Sequence, residues 1–521
     1  MTANMKYPIG IQSFENIRTE GYTYIDKTAC IHRLIDNGKY YFLSRPRRFG
    51  KSLLISTIEA LYQGKRELFK GLAIDGLKWE WEKHEVLHID FNGTKYNRQP
   101  DALERFLEDQ LSMWEREYSV DFIASTIGMR FRLVIEKAHE VSGRNVVILI
   151  DEYDKPLLDV ISDDERRDNN RYLLNAFFSV MKTMDKYIKF AMITGVSRFS
   201  KVSVFSGANN FPDISLLDDY ADICGITEDE LKEAFMPGIE ELALKLKTNA
   251  DGVLALLKQN YDGYHFSAEC PDIYNPFSLL NALANKKISD YWFESGTPSF
   301  VIEVLKKDNF FLPSLDCIET LESSLGAKES YLHHPVSLLF ETGYITIKSY
   351  DEEKESFRLG LPNEEVATSF SKALIPAYSG SPNTECDDAL FKMRGAIIDG
   401  NAERFMELLK TFLQGNPYSN TELDKREKYF KNNIFLVLRA LGFFPRVEEE
   451  TCKSRMDVML RTRRYVYIFE LKTDGSANKA MTQIREKGYA QPYAEEGRQI
   501  IRIAANYSSG DNNITEWMVE R

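Results

Sequence analysis

The sequence predicts an α/β protein that begins with a parallel sheet flanked by helices. Residues 40–44 form an apolar segment that leads into a loop and then a helix. Residues 146–150 are five consecutive apolar residues followed by carboxylates, and residues 188–195 form a third apolar segment that ends in threonine and glycine. Continuous apolar runs suit strands buried on both faces of a parallel sheet, which present ligand-binding groups at their carboxyl ends. We therefore expect a binding site where these three strands end.

The loop after the first segment has the residue order of a phosphate-binding loop. It contains Gly50-Lys51-Ser52, and in such loops backbone N–H groups and the following helix N-terminus surround the β-phosphate. Lys51 would reach the β/γ oxygens, and Ser52 would ligate Mg²⁺. The full pattern has a glycine five residues before Gly50, where this chain has Arg45. The match is therefore degenerate, and an ordinary strand-to-helix turn with a surface lysine is the alternative.

The second and third segments supply the other groups that nucleotide chemistry needs. Asp151 would contact Mg²⁺ directly or through water, Glu152 would polarise the attacking water, and Thr194 would sense the γ-phosphate. The alternative is a strand that ends in solvated acids, but the features occur in the order expected of an ATP-binding domain. The predicted nucleotide-binding residues are Arg47, Arg48, Phe49, Gly50, Lys51, Ser52, Leu53, Asp151 and Thr194.

Arg198 lies just past the third segment. An arginine at this place can stabilise charge on the γ-phosphate in cis or reach into a neighbouring subunit, which leaves assembly into an oligomer open. A salt bridge to one of the nearby acids is the alternative for this residue.

The composition is that of a soluble globular protein. A chain of 521 residues forms about two to four domains, and its formal net charge of −13 argues against non-specific coating of nucleic acid. Contact with DNA or RNA would therefore need a local basic patch. Six cysteines without a C-x-x-C pair disfavour a disulfide framework and a zinc site. No segment has the length and apolarity of a signal or spanning helix, so we expect a cytoplasmic protein without membrane contact.

The middle of the chain is predicted to connect two functional modules. Residues 216–300 have a helical pattern that would form a lid on the nucleotide domain at 1–215, with a helix start at Thr227. Residues 301–380 contain a helix and a hairpin, which suggests a winged-helix-like unit. Three acids at the hairpin tip, 351–353, would be repelled by phosphate and favour domain packing over DNA reading. The aromatic turn 261–266 is interpreted as structural, and residues 378–383 are the best candidate linker.

The C-terminal module, residues 386–521, contains helices and then a hairpin with acidic and basic side chains on one face. Glu470 and Lys472 share a face because side chains alternate along a strand. A turn centred on Thr462-Arg463 would set Asp457 opposite Ile468, on that same face. Asp457 and Glu470 could then hold Mg²⁺ while Lys472 orients or deprotonates the attacking water. An odd-length loop without a bulge would reverse the parity and remove Asp457 from the site.

Taken together, these motifs resemble the AAA-ATPase-like family of bacterial proteins. The resemblance rests on residues 24–28 (YIDKT), 45–52 (RPRRFGKS), 151–154 (DEYD), 194–200 (TGVSRFS) and 205–210 (FSGANN). It implies that the arginine-rich loop is the family's own form of the phosphate-binding loop. Members commonly end in a PD-(D/E)XK nuclease-like domain. The implied fold is therefore a P-loop NTPase sheet domain, a helical and winged-helix-like middle, and a C-terminal restriction-endonuclease-like α/β domain.

The nuclease resemblance assigns roles at the C-terminus. Asp457 matches the family's aspartate, Glu470-Leu471-Lys472 its E-x-K, and Gln483 the glutamine of the following helix. Glu427 and Tyr489 match an acid on the preceding helix and a tyrosine on the following one, while Ser454 replaces a usual glycine. Basic residues beside this site are candidates for phosphodiester contact, although a charged, solvated edge is the alternative. They are Lys453, Arg455, Arg461, Arg463, Arg464, Lys479, Arg485 and Lys487.

Three hypotheses about function follow. In the first, ATP binding or hydrolysis at Lys51, Ser52, Asp151 and Glu152 controls a Mg²⁺-dependent nuclease at the C-terminus. In the second, the protein is a nucleotide-dependent switch whose nuclease-like domain only binds a nucleic acid or a protein partner. In the third, both sites are relict and the protein is structural. Neither the choice between DNA and RNA nor the trigger of turnover is encoded in these patterns.

Overall fold

The computed structural model forms two compact units. The N-terminal unit comprises Met1–Trp292 and Glu319–Asn363, and the C-terminal unit comprises Phe293–Ile318 and Glu364–Arg521. The structure describes residues 5–121, 126–198, 211–295, 299–325, 335–379, 383–414, 423–450, 455–511 and 513–521. The division into two compact units does not test the finer predicted subdivision. The boundaries 1–215, 216–300, 301–380 and 386–521 therefore stay a prediction.

The N-terminal unit contains the predicted parallel sheet. Its strands are β1 (Tyr40–Ser44), β2 (Val86–Asp90), β3 (Val146–Asp151) and β4 (Ile188–Gly195). They are hydrogen-bonded in the order β1-β4-β3-β2, and every neighbouring pair is parallel. Strands β1 and β3 are buried along their whole length, as their apolar runs predict. The register sets Ser44 beside Gly195 and Asp90 beside Asp151, so these strand ends meet at one edge of the sheet.

Helices cover this sheet and extend the unit beyond it. The α-helices are Phe14–Thr19, Thr28–Asn37, Lys51–Tyr62, Ala102–Glu117, Ile127–Ser142, Lys155–Leu158, Asp164–Phe178, Val180–Thr183, Glu228–Leu246, Ala250–Tyr261, Pro276–Asn285, Glu322–Leu325 and Pro335–Glu341. Short 3-10 helices are Arg66–Phe69, Ala73–Gly76, Phe91–Gly93, Asp185–Tyr187, Asp218–Tyr220 and Trp292–Ser295. The predicted helix start at Thr227 is confirmed by a capping box, in which Thr227 and Glu230 each accept the other's backbone N–H.

Two small sheets complete the N-terminal unit. Strands β5 (Ile226–Thr227) and β6 (Ile273–Tyr274) pair antiparallel beside the helices that follow them. The second sheet has the order β7-β9-β8, where β7 is Ile318–Leu321, β8 is Thr346–Asp351 and β9 is Ser356–Gly360. The helix and hairpin predicted in this part of the chain are therefore present, and a short third strand joins the hairpin.

The C-terminal unit is built on a mixed sheet of five strands. They are β10 (Arg446–Glu450), β11 (Arg455–Arg461), β12 (Tyr465–Thr473), β13 (Gln499–Ser508) and β14 (Asn513–Glu520), in sequential order. Only β12 and β13 pair parallel, and the helix Ala477–Lys487 connects them. The other α-helices are Ser299–Lys307, Glu364–Ser379, Asn383–Ile398, Ala402–Leu413 and Leu423–Ala440, with 3-10 helices at Leu312–Asp316 and Gln491–Tyr493. The predicted α/β class is confirmed in both units.

The hairpin between β11 and β12 corrects one predicted register. Met459, rather than Asp457, pairs with Ile468. The reason is the turn: Thr462 N–H donates to the Tyr465 carbonyl at 2.8 Å, and Tyr465 N–H donates to the Thr462 hydroxyl at 3.0 Å. The loop is therefore centred on Arg463-Arg464, one residue later than predicted. This shifts the pairing by two residues, so the parity is unchanged and Asp457 stays on the face of Glu470.

Candidate functional site

The predicted phosphate-binding loop has the backbone that its role requires. Gly50 caps the helix Lys51–Tyr62 at φ 92°, and Arg48 also has a positive φ of 69°. A Cβ on Gly50 would meet no atom within 4 Å, so the glycine is needed for its backbone angle and not for space. This conformation turns the chain from β1 into the helix, whose first N–H groups have no partner within the helix.

Lys51 is buried and lies inside the loop. Its Nζ donates to the carbonyls of Arg45 at 3.1 Å and Pro46 at 3.2 Å, and it is 3.2 Å from Glu152 Oε1. Only 3% of the side chain is exposed, which does not fit the alternative of a surface lysine. The structure thus brings Lys51 and Glu152, two of the predicted site residues, into direct contact.

The strand ends beside the loop form an acidic centre. Thr194 Oγ1 and the Glu152 N–H both donate to Asp151 Oδ1, and Asp151 is buried. Glu152 has a positive φ of 53°, a strained backbone of the kind found at functional sites. Burial and repulsion from Asp151 and Glu152 raise the pKa of Asp90, at the end of β2. Asp90 was not among the predicted site residues, although its place as an acid at the end of a strand is the same signal that indicates Asp151.

The acidic motif also fixes the turn after β4. Asp154 accepts hydrogen bonds from the backbone of Val196 at 3.2 Å and from Ser197 N and Oγ at 2.7 Å. Its burial is the main reason that its pKa rises to about 6, which the Ser197 bonds oppose. A Cβ on Gly195 would lie 2.7 Å from Asp154 Oδ1, so only glycine fits there. The end of the strand that carries Thr194 is therefore held by the motif that follows β3.

Arg45 explains the missing glycine of the loop. Its guanidinium donates to four backbone carbonyls, those of Ser44, Ser215, Tyr220 and Ala221, at 2.8–3.3 Å. It also lies 4.2 Å from the ring centre of Phe266, a cation–π contact. Burial lowers the pKa of Arg45 to about 10. The arginine therefore joins the loop to Ser215, to residues 220–221 and to Phe266.

Phe49 is a second anchor of the same loop. Its ring is buried and packs edge-on against Tyr264 at 4.8 Å and Phe266 at 5.3 Å. Phe49 was predicted as a nucleotide-binding residue, and only its backbone remains for that role. Arg48, which is exposed, lies over Phe277 at 4.5 Å, and Arg47 is exposed as well. The aromatic turn 261–266 thus supports the loop, in keeping with its structural interpretation.

Arg198 is engaged in an ion pair. Its Nε is 3.1 Å from Glu341 Oε1, and its terminal nitrogen donates to the Leu325 carbonyl at 2.7 Å. Burial raises the pKa of Glu341 to about 7, and Arg198 opposes that rise. The structure therefore does not join Arg198 to Lys51 and Glu152. It shows the salt-bridge alternative, with a partner far away in the sequence.

The C-terminal site brings the predicted Glu470, Lys472 and Gln483 together. Lys472 Nζ donates to Glu470 Oε1 at 2.9 Å and to Gln483 Oε1 at 2.8 Å. Gln483 Nε2 in turn donates to the Tyr489 hydroxyl at 3.2 Å. Tyr489 is fully buried in the core under the helix Ala477–Lys487. This chain of hydrogen bonds fixes the lysine amine beside the carboxylate.

Asp457 completes the group and pairs with Lys431, which was not among the predicted site residues. Its Oδ2 accepts the Leu471 N–H at 2.8 Å, and its Oδ1 is 3.0 Å from Lys431 Nζ. Burial and repulsion from Asp457 raise the pKa of Glu470 to about 7, while Lys472 and Lys431 oppose the rise. Glu470 Oε2 is buried and has no hydrogen-bond partner among the described residues. The site thus holds two carboxylates and two ammonium groups.

Comparison with known proteins gives a family for each of the two parts of the chain that contain these candidate sites. Residues 8–205 match a family described as predicted AAA-ATPase, and residues 425–517 match the PD-(D/E)XK nuclease superfamily. The chain is 34% identical over 528 residues to an "Uncharacterized protein in vnfD 5'region" of Azotobacter chroococcum mcd 1, with 99% of each chain covered. This chain belongs to the AAA-ATPase-like family. Its C-terminal part is a PD-(D/E)XK nuclease-superfamily domain, so both resemblances noted from the motifs are confirmed.

The donor sets of this AAA-ATPase-like protein fit the groups that its two families use. The loop offers a positive-φ glycine, backbone N–H groups and a buried lysine, which is how proteins hold phosphates. In the C-terminal domain, the unpartnered Glu470 Oε2 and the neighbouring Asp457 are ligands of the kind that Mg²⁺ prefers. Within the described ranges no cluster of three or more His, Cys, Asp or Glu could hold a metal. Two carboxylates suffice for Mg²⁺, which keeps several waters.

The predicted basic patch is only partly available. Arg461 is 2.9 Å from Glu496, and Arg485 pairs with Glu520. The remaining candidates that the structure describes with side chains are exposed; they are Arg463, Arg464, Lys479 and Lys487. Lys453 and Ser454 lie outside the described residues, and so do the side chains of Arg455 and Glu427. Across the described helices, none has the length and apolarity to cross a bilayer.

Proposed function

We propose that ATP binding or hydrolysis in the N-terminal unit controls a Mg²⁺-dependent nuclease in the C-terminal unit. The observation that carries the proposal is the convergence of Asp457, Glu470, Lys472 and Gln483 on one face of the C-terminal sheet. Carboxylates that hold a metal, beside a lysine that orients water, are the minimal set for metal-assisted hydrolysis of a phosphodiester.

The N-terminal site supports a nucleotide role residue by residue. Lys51 and the backbone N–H groups of residues 47–50 and 53 would hold the phosphates, while Ser52 and Asp151 would hold Mg²⁺. Thr194 already donates to Asp151 and would report on the γ-phosphate. Lys51 can hold a phosphate only by sharing or releasing Glu152, which lies 3.2 Å away. The released carboxylate would then accept the proton of the attacking water.

The C-terminal site supports phosphodiester hydrolysis in the same way. Asp457 and Glu470 would hold the metal, which supplies charge stabilisation and a more acidic water. Lys472, positioned by Gln483, would orient or deprotonate the attacking water. The exposed Arg463, Arg464, Lys479 and Lys487 would contact a nucleic acid backbone.

Contacts inside the N-terminal unit supply a route for control. The segment Glu319–Asn363 belongs to this unit, whereas the chain on both sides of it belongs to the C-terminal unit. A Cβ on Gly343 of this segment would come within 2.7 Å of Pro46 in the loop. Arg198, which follows the strand of Thr194, pairs with Glu341 of the same segment. A conformational change at the nucleotide site would therefore move a segment that continues covalently into the nuclease-like unit.

One observation favours a second candidate function, the switch without cleavage. Each carboxylate of the C-terminal site is already paired with a lysine, Asp457 with Lys431 and Glu470 with Lys472. A site neutralised in this way could bind a partner and cut nothing. Loss of metal-dependent cleavage with retention of ATP-dependent association would identify it.

The test is cleavage of labelled single- and double-stranded DNA and RNA with Mg²⁺ or Mn²⁺, with and without ATP. Wild type is compared with Lys472→Ala, Lys51→Ala and the matched control Lys392→Ala, an exposed lysine outside both sites. We expect Lys472→Ala to abolish cutting, Lys51→Ala to abolish only its ATP dependence, and Lys392→Ala to change neither. If wild type binds ATP but cuts nothing under any condition, the nuclease proposal fails and the switch remains.

We further propose a cytoplasmic location. Among the residues that the structure describes, Cys30, Cys224 and Cys270 are not joined in disulfides, as expected in a reducing compartment. Cell fractionation with a tagged chain tests this, and recovery in a secreted or membrane fraction would contradict it.

Oligomer formation is a separate question. Light scattering with and without ATP tests whether a second copy of the chain associates with the first when ATP binds.

A further inference from the structure

Lys431 is an ionisable residue at the C-terminal site to which the proposed mechanism gives no task. It lies on the helix Leu423–Ala440 and is 7% exposed, although lysines are almost never buried without a partner. Its Nζ is 3.0 Å from Asp457 Oδ1. Removing an ammonium group from water is costly unless a nearby charge compensates it, and Asp457 provides that charge.

The oxygens of the two carboxylates are engaged unequally. Asp457 Oδ2 accepts the Leu471 N–H, and Oδ1 faces Lys431. Glu470 Oε1 faces Lys472, whereas Oε2 is buried without a hydrogen-bond partner in the described structure. A cation held by both residues would therefore take Glu470 Oε2 and would have to share Asp457 Oδ1 with Lys431.

We propose that Lys431 is the counter-ion of Asp457 with which a divalent cation must compete, so that Lys431 sets the metal affinity of the site. The inference rests on the proposed metal-dependent function of Asp457 and Glu470. A metal binds a carboxylate oxygen at about 2.1 Å, and Lys431 Nζ lies 3.0 Å from the same oxygen. The two cations would thus be within about 5 Å of each other, where like charges repel appreciably even at high dielectric.

This arrangement keeps the affinity of the site for a divalent cation low until a further negatively charged group binds beside it. A phosphodiester beside the metal would supply that charge and would also give the displaced Lys431 ammonium a new partner. Lys472 is placed differently, because it is anchored on Gln483 as well as on Glu470. The two lysines of the site therefore have distinct tasks, one in metal affinity and one beside the water.

The experiment measures Mn²⁺ binding to the full chain without nucleotide, by calorimetry and by electron paramagnetic resonance of free Mn²⁺. The variants are Lys431→Met, which removes the charge at similar size, and Lys431→Arg, which keeps it. Lys428→Met is the matched control, since Lys428 lies on the same helix and is not paired with either carboxylate in the described structure. Binding that remains in Glu470→Gln is subtracted as belonging to other sites.

We expect Lys431→Met to bind Mn²⁺ on the order of tenfold more tightly than wild type, the effect of one like charge at this distance. Lys431→Arg and Lys428→Met should match wild type. Because Lys431→Met leaves the Asp457 carboxylate without its counter-ion, the variant should unfold at a lower temperature than wild type without Mn²⁺ and show a larger rise in unfolding temperature with it. The thermal shift keeps the test decisive even if this variant is less stable.

Mn²⁺ binding by Lys431→Met that equals or is weaker than that of wild type would overturn the inference, as would Lys431→Arg binding Mn²⁺ as tightly as Lys431→Met. If Glu470→Gln removes no Mn²⁺ binding from wild type, the metal site itself is absent and the inference falls with it. If the Lys431 pattern is found but nothing is cleaved, the nuclease proposal fails while the role of Lys431 stands.

Discussion

The ion pair between Arg198 and Glu341 gives the sharpest prediction about the N-terminal unit. The pair is buried, with 11% and 4% of the two side chains exposed, and its atoms are 3.1 Å apart. Glu341 Oε2 has no hydrogen-bond partner among the described residues, so Arg198 is the main compensation of this carboxylate. In Arg198→Met that compensation is lost. Breaking a buried pair from one side costs about 3–5 kcal/mol.

The size of this loss depends on pH, and the sign follows from the raised pKa. Glu341 has a pKa of about 7 in the folded protein, above its ordinary 4.5, so the folded state binds a proton that the unfolded chain has released. Its ionisation therefore opposes folding, and stability falls as pH rises from about 4.5 to 7. Without Arg198 the pKa is higher still, and the fall continues above pH 7 at up to about 1.4 kcal/mol per pH unit. We expect the stability lost in Arg198→Met to be larger at pH 8 than at pH 6, by up to about 1.4 kcal/mol.

Urea unfolding at the two pH values measures this difference, with Glu341→Gln and the double variant completing a thermodynamic cycle. The double variant should recover part of the stability, because neither partner is then left charged and alone. The same variant tests the catalytic role predicted for Arg198: a structural arginine leaves ATP hydrolysis in the double variant, whereas a catalytic one does not. An equal loss of stability at pH 6 and pH 8 would refute the reasoning.

Three further predictions concern single positions. Gly50→Ala should weaken ATP binding in equilibrium titrations, with about 1 kcal/mol of backbone strain from its φ of 92° and little loss of fold, since no atom obstructs the new Cβ. Asp262 is buried without a hydrogen bond of normal geometry, and burial raises its pKa from 3.8 to about 7, so stability falls as pH rises from about 3.8 to about 7. Asp262→Asn should therefore be more stable than wild type at pH 8, by up to about 4 kcal/mol, and not at pH 4, as thermal unfolding can show. Gln483→Leu should lower the rate of cleavage about tenfold while Mn²⁺ affinity is retained, since it releases Lys472 and no metal ligand.

The parts that the sequence predicts well are those encoded in short patterns. The apolar run at 146–150 predicts a buried parallel strand. A strand covered on both faces has no solvent-facing position, so every side chain in it can be apolar. The face shared by Glu470 and Lys472 follows from strand alternation alone. The predicted turn is centred one residue too early, but Asp457 still lies on that face because a register shift of two residues keeps the parity.

The parts that the sequence does not predict depend on contacts between distant residues. Lys431 is one of three lysines on its helix, with Lys425 and Lys428, and only the tertiary fold decides which of them meets Asp457. The loop motif likewise does not predict the role of Arg45, because this side chain binds the carbonyls of Ser215 and Tyr220, about 170 residues away in the sequence. Each of these contacts joins segments that no local pattern relates.

The chain path gives the strongest reason to expect that the two sites are coupled. The backbone passes between the two units three times, after Trp292, Ile318 and Asn363. The segment between the last two passages holds Glu341 and Gly343, and these are the residues that meet Arg198 and Pro46. A shift of the phosphate-binding loop that moves this segment would therefore act on the two chain connections, at its ends, that lead into the nuclease-like unit. Control through this segment needs no separate interface between the units, and substitutions at Gly343 should alter the ATP dependence of cleavage without altering its metal dependence.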